Sequence, residues 1–273
     1  MIIKINNKKN LKKMKKNIQL LTIAIVASVC ITVSSCKKKD TTPAVVTVAK
    51  GTIGLHLHTN VDSNEVDVLG APYVITGGRK ITITTAQLYI SNIHLVNLDG
   101  STYSIPGIVI FKKMQNEVYI IDTVPSGNYQ TIKFDIGLSA ASNSTAPATT
   151  DTVLYQPTMW FGNPPQTSGG FIFVNLQGTI DTTTAANGTT MVPFSYMIGT
   201  NANLRNITMP VQNFTISPNQ VTYVHMIVDY YKLFNGIKLN NINNLTMNTI
   251  SENGTALGTQ LANNIPLMLR YEM

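Results

Sequence analysis

The sequence predicts an all-β fold, an antiparallel β-sandwich of immunoglobulin-like or Greek-key style with long loops. Short segments rich in Val, Ile, Thr, Tyr and Phe recur from about residue 51 to the C-terminus, parted by Gly, Pro, Asn, Asp and Ser. No long stretch keeps a helical period, so alternation is the governing pattern. Charged residues make up only 12% of the chain, and Thr and Asn take their place on strand surfaces.

The first 35 residues are not part of that pattern. Seven lysines lie between Lys4 and Lys16, an apolar run follows from Leu20 to Val33, and then comes Ser34-Ser35-Cys36. A basic stretch, an apolar stretch and small residues in that order are a signal peptide. The predominantly apolar run of 14 residues falls short of the roughly 20 that a helix needs to cross a bilayer, so the segment is expected to be cleaved. Val33-Ser34-Ser35-Cys36 resembles the lipobox of bacterial lipoprotein precursors, which makes Cys36 the lipidated N-terminus and the cell envelope, periplasm or outer membrane, the expected location.

Residues 36–50 are polar and aperiodic, as a flexible tether is, which leaves residues 51–273 as one β domain. Loss of residues 1–35 removes seven basic residues and no acidic one, leaving 13 of each sign. The net charge of +7 therefore belongs to the signal segment, and a neutral domain offers no phosphate-neutralising face for nucleic acid. Cys30 leaves with the signal and Cys36 takes lipid, so neither a disulfide nor a thiolate metal site is expected in the domain.

The clearest strands are residues 52–59, 80–88, 90–98, 117–122, 131–136, 171–176, 191–196, 221–230 and 266–271. Asp99-Gly100 and Asn187-Gly188 supply residues that tolerate positive φ in hairpins, and Pro125-Ser126-Gly127-Asn128 reads as a turn. Residues 139–152 form a long polar loop of small side chains.

Histidine is the first candidate for chemistry. In Gly54-Leu55-His56-Leu57-His58, alternate residues share a face, so Ile53, Leu55 and Leu57 point inward and both imidazoles outward. Two imidazoles at that spacing chelate zinc or copper once a third ligand arrives from a neighbouring strand; otherwise they are polar residues on a solvent face. His225 lies on the polar side of a second strand, opposite Val224, Met226 and Val228, and supplies that ligand if the two strands are neighbours. His94 reads as a strand-surface residue. Glu117, Asp122, Asp135, Asp151 and Asp181 are not locally paired for acid–base work, and there is no nucleophile elbow, zinc-protease helix, phosphate loop or calcium loop. No enzymatic activity is expected. Trp160, the one tryptophan, lies in a Pro- and Gly-rich stretch, where such a residue usually plugs a loop.

Four pieces in order resemble the MbnP-like family of copper-binding proteins. They are Leu88-Tyr89-Ile90-Ser91-Asn92-Ile93-His94-Leu95; Val124-Pro125-Ser126-Gly127-Asn128-Tyr129 with Phe134-Asp135-Ile136-Gly137; Met159-Trp160 with Gly170-Phe171-Ile172-Phe173-Val174 and Gly178; and Phe194-Ser195-Tyr196-Met197-Ile198-Gly199. The resemblance implies a β-sandwich that holds copper through histidines and a tryptophan oxidised to kynurenine, with a di-haem tryptophan-oxidising protein as partner. On that basis the expected metal group is His56, His58, His225 and Trp160, with Met197 offering a thioether to copper(I). Met197 stands where many relatives have histidine, and Gly162 where a histidine sometimes follows the tryptophan. The expected function is a membrane-anchored copper-binding protein without turnover; the alternative is a structural or adhesive sandwich lipoprotein that has lost the metal.

Overall fold

The computed structural model of the protein describes residues 48–162 and 170–272; the signal segment, Cys36 and the tether through residue 47 lie outside the described residues. In chain order the strands are β1 (Lys50–Val61), β2 (Asn64–Glu65), β3 (Pro72–Val74), β4 (Lys80–Asn97), β5 (Thr102–Lys113), β6 (Val118–Pro125) and β7 (Gly127–Ile136). They continue with β8 (Ile172–Asp181), β9 (Met191–Gly199), β10 (Arg205–Thr208), β11 (Phe214–Ile216), β12 (Val221–Asp229), β13 (Thr246–Met247) and β14 (Leu269–Tyr271). Among the described residues two helices, α1 (Ala140–Asn143) and α2 (Ala256–Asn264), and short 3-10 turns accompany the strands. Among the described residues no helix is long and apolar enough to cross a membrane.

The strands form two sheets. The smaller runs β14-β12-β1-β2, with β6 also on β1; the larger runs β10-β7-β4-β8-β9-β13, with β3 and β5 on the other edge of β4 and β11 on β7. The all-β sandwich expected from the sequence is the observed architecture, and most pairs are antiparallel. One central pair is not: β1 and β12 run parallel, as do the short β9 and β13. Parallel neighbours need a long crossover, and here almost the whole domain lies between β1 and β12.

Period-two burial fixes the faces. Ile53, Leu55 and Leu57 of β1 and Met226 and Val228 of β12 are fully buried, and they pack in one cluster with Leu88, Ile90, Val174 and Leu176 of the larger sheet. This cluster is the core between the sheets. Alternate residues of the larger sheet face away from it: Tyr89 and Phe173 join a second cluster with Phe111, Phe171 and Trp160, closed by the segment from Leu138 to Phe161.

Several boundaries depart from the expected ones for local reasons. β4 is one strand of 18 residues, not two; its irregularity is a bulge at Asn92, held at positive φ, with Asn92 Nδ2 donating to Asp135. The expected strand at 266–271 keeps only three residues, because Pro266 opens a 3-10 turn, Ile265–Met268. The 139–152 stretch contains α1, capped by Ser139. α2, which the alternation-based reading omits, starts at Thr255, whose hydroxyl accepts from Gly258 N, and it buries Leu261 and Ala262.

Candidate metal centre

The parallel register of β1 and β12 sets Gly54 beside Tyr223, His56 beside His225 and His58 beside Ile227, all on the side away from the core. The consequence is a cluster of imidazoles. His56 Nδ1 and His225 Nδ1 are 3.0 Å apart, and the ring centroids of His56 lie 4.3 Å from His58 and 4.8 Å from His225. Two ring nitrogens at that distance repel unless one carries the shared proton or a cation stands between them.

Carboxylates from three other segments close on the imidazoles. Glu117 precedes β6, fixed by its carbonyl accepting from Leu57 N, and its side chain is 3.4 Å from His56 Nε2 and 3.5 Å from His58 Nδ1. Glu65, on β2, accepts from His58 Nδ1 at 2.7 Å. Glu272 follows β14, donates its backbone N–H to His225 O, and brings one oxygen to 3.3 Å from His225 Nδ1 and 3.4 Å from His58 Nε2. Burial lowers the pKa of His58, but the Glu65 hydrogen bond and the charges of Glu117, Glu272 and Glu65 outweigh it and raise the pKa above the ordinary histidine value. With Glu65 accepting from Nδ1, Nε2 of His58, which faces Glu272, is the nitrogen free to bind a metal once its proton has left, the arrangement typical of a ligating histidine and its supporting carboxylate.

One ligand atom from each of His56, His58, His225 and Glu272 lies within 4.8 Å of the others. Four donors about 2.0–2.2 Å from one ion stand at most about 4.4 Å apart, so the set is within a small side-chain adjustment of coordination. A second overlapping group, His58, Glu65 and Glu117, meets the same spacing. Three imidazoles and a carboxylate suit zinc or copper(II) and fit neither a calcium nor a thiolate site.

The other two residues expected in this site are elsewhere. Trp160, only 4% exposed, pairs with Phe171 in an isolated bridge and donates its indole N–H to Leu154 O at 3.2 Å. Met197, on β9, pairs with Asn175 of β8 and packs on the same second cluster. That cluster is behind the larger sheet, whereas the histidines project from the far side of the smaller one, so the whole core separates them. Of the expected group, the structure brings His56, His58 and His225 together and sets Trp160 and Met197 apart from them. Gly162 and Met197, where the family resemblance directs attention to histidines, belong with Trp160; around it are Tyr155, Phe171, Leu138 and Met159, and Asp151 is nearby, its carboxylate accepting from Val153 N and Leu154 N.

Glu65 and Glu272 were not legible as site residues, since each is a lone acid with no motif around it. Glu117 was visible only as an unpaired acid. His94 is apart from the group, bonded to Ser104 and Asn92.

A family model described as MbnP matches residues 50–249. Among solved structures the chain is similar to MbnP from Methylosinus trichosporium, with 15% identity, a TM-score of 0.50, and coverage of 69% of this chain and 78% of that one. At this identity the likeness bears on the fold, and the shared fold is the sandwich described above. No curated protein matches. With 200 consecutive residues of the β domain matched, the chain belongs to the MbnP family.

Proposed function

We propose that this protein is a lipid-anchored copper-binding protein of the cell envelope, without turnover, that holds the ion through His56, His58, His225 and Glu272. The observation that carries the reading is the approach of three imidazoles and one carboxylate from β1, β12 and the chain end to within 4.8 Å. Among divalent first-row metals, copper binds such a nitrogen-rich set most strongly, and membership of the MbnP family favours the same ion. Glu65 and Glu117 support the site from outside by holding His58 and His56.

Trp160 has no place in this ligand set. If a di-haem partner oxidises it, the kynurenine forms in the aromatic cluster behind the larger sheet and serves some other purpose. Anchoring rests on Ser34-Ser35-Cys36, and Cys36→Ala should release the protein from the membrane fraction. The second reading, a structural or adhesive sandwich that has lost its metal, draws on the apolar surroundings of Trp160, where Met197 and Gly162 replace the expected histidines.

Equilibrium dialysis against copper(II) with metal analysis tests the proposal. One tightly held ion per chain, lost in His56→Ala/His58→Ala with the fold intact, is the expected result. No copper in the unaltered chain leaves the second reading.

A further inference from the structure

Beside the histidine group a cavity of about 370 Å³ is lined by residues of β12 and β14 in the smaller sheet and by the β11 segment of the larger one, with His225 and Glu272 among them. Three aromatic residues, Phe214, Tyr223 and Tyr271, line it as well, together with Val224, Gln212 and Asn213. Each ring is held in place. Phe214 stacks on Tyr129 at 5.8 Å, Tyr271 shares a hydrogen bond with Thr131 at 3.1 Å, and Tyr223 lies across Gly54. A Cβ on Gly54 would come within 2.7 Å of the Tyr223 ring, so the absence of a side chain there is what lets the ring lie flat on the sheet. The volume falls in the range of small-molecule sites, and pre-fixed walls are a mark of such sites.

We infer that this cavity binds a small, flat, uncharged nitrogen heterocycle, its ring between Phe214 and Tyr223 and its ring nitrogen directed at the ion held by His225 and Glu272. The chemistry of the walls selects that class. No lysine or arginine is among the lining residues, so the lining offers no fixed positive charge to a free anion, whereas aromatic side chains favour a planar ring and the amides of Gln212 and Asn213 can donate and accept hydrogen bonds. His225, 51% exposed, is the most open of the three imidazoles, so the cavity side is the accessible side of the centre. The claim about the ring nitrogen rests on the copper reading above; the claim about the aromatic walls does not.

Two arms separate these claims, with 4-phenylimidazole and imidazole as probes on the full chain. In the metal-free chain, saturation-transfer NMR should show the phenyl protons of 4-phenylimidazole in contact with the protein, and Tyr223→Ala or Phe214→Ala should abolish the transfer. Transfer that survives both variants, or that is absent from the unaltered chain, overturns the cavity as the site. In the chain loaded with copper(II), 4-phenylimidazole should bind at least about 10-fold more tightly than imidazole and add a nitrogen coupling to the paramagnetic spectrum. Equal affinities at full copper occupancy overturn the link between cavity and ion. A chain that takes up no copper contradicts the metal reading and the nitrogen–ion contact with it, and the first arm still decides the cavity.

Discussion

His56 and His225 are 169 residues apart in the chain and their Nδ1 atoms are 3.0 Å apart in space. The pairing follows from backbone geometry: β1 and β12 run parallel in one register, so a residue facing outward on one strand has an outward-facing partner on the other. Slipping the register by one residue would turn His225 into the core and Met226 out of it, and the full burial of Met226 opposes that slip.

Glu65 sets the behaviour of His58. Glu65→Ala is expected to weaken copper binding by about 10- to 100-fold, as removal of a supporting carboxylate usually does, and Glu65→Gln to recover part of the loss. Protons compete with metal at His58, whose pKa is raised, so copper affinity should climb as pH rises through a value above 6.5. In Glu65→Gln that rise should move to lower pH. Competition titrations across the pH range measure both effects.

Lys112 is fully buried, and its ammonium donates to Thr59 Oγ1 at 2.8 Å, Lys113 O at 3.0 Å and Asn116 O at 3.1 Å, bracing the turn that carries Glu117. Burial pulls its pKa down to about 8, against a small opposing pull from Glu117. Between about pH 8 and the ordinary lysine value of 10.5 the unfolded chain binds a proton that the folded chain does not. Stability from this group therefore increases with pH across that window, by on the order of 3 kcal/mol if fully expressed. Urea unfolding at pH 7.5 and 9.5 should show a more positive pH slope for the unaltered protein than for Lys112→Met. Equal slopes would contradict the burial argument.

Gly178 has no room for a side chain. A Cβ there would fall 1.9 Å from Thr82 O in the β4–β8 pairing, where backbone cannot yield cheaply. Gly178→Ala should cost about 1–3 kcal/mol or more, read as a lower urea midpoint, while copper stoichiometry of the folded fraction is retained.

The faces of the two histidine strands were readable because period-two alternation assigns inward and outward residues without any knowledge of neighbours. Whether β1 and β12 touch was not readable, since no local signal encodes a parallel pairing across nearly the whole domain. Glu272 and Glu65 were invisible for the same reason: each joins the site through strand pairing, not through a motif. Trp160 and Met197 were drawn to the histidines by resemblance, and the structure separates them because alternate residues of the larger sheet, Tyr89 and Phe173 among them, turn to its outer side and take Trp160 with them. The expected break in β4 fell at Tyr89, which is an ordinary paired residue opposite Phe111, and Thr255 with Leu257 and Leu261 four apart was the available sign of α2.

The most direct test of the account is the copper content of two variants prepared side by side, Trp160→Phe and His56→Ala/His58→Ala. The account predicts one ion per chain in the first, with a spectrum matching the unaltered protein, and none in the second. Copper lost from Trp160→Phe and kept by the double variant would place the ion behind the larger sheet and contradict the site described above.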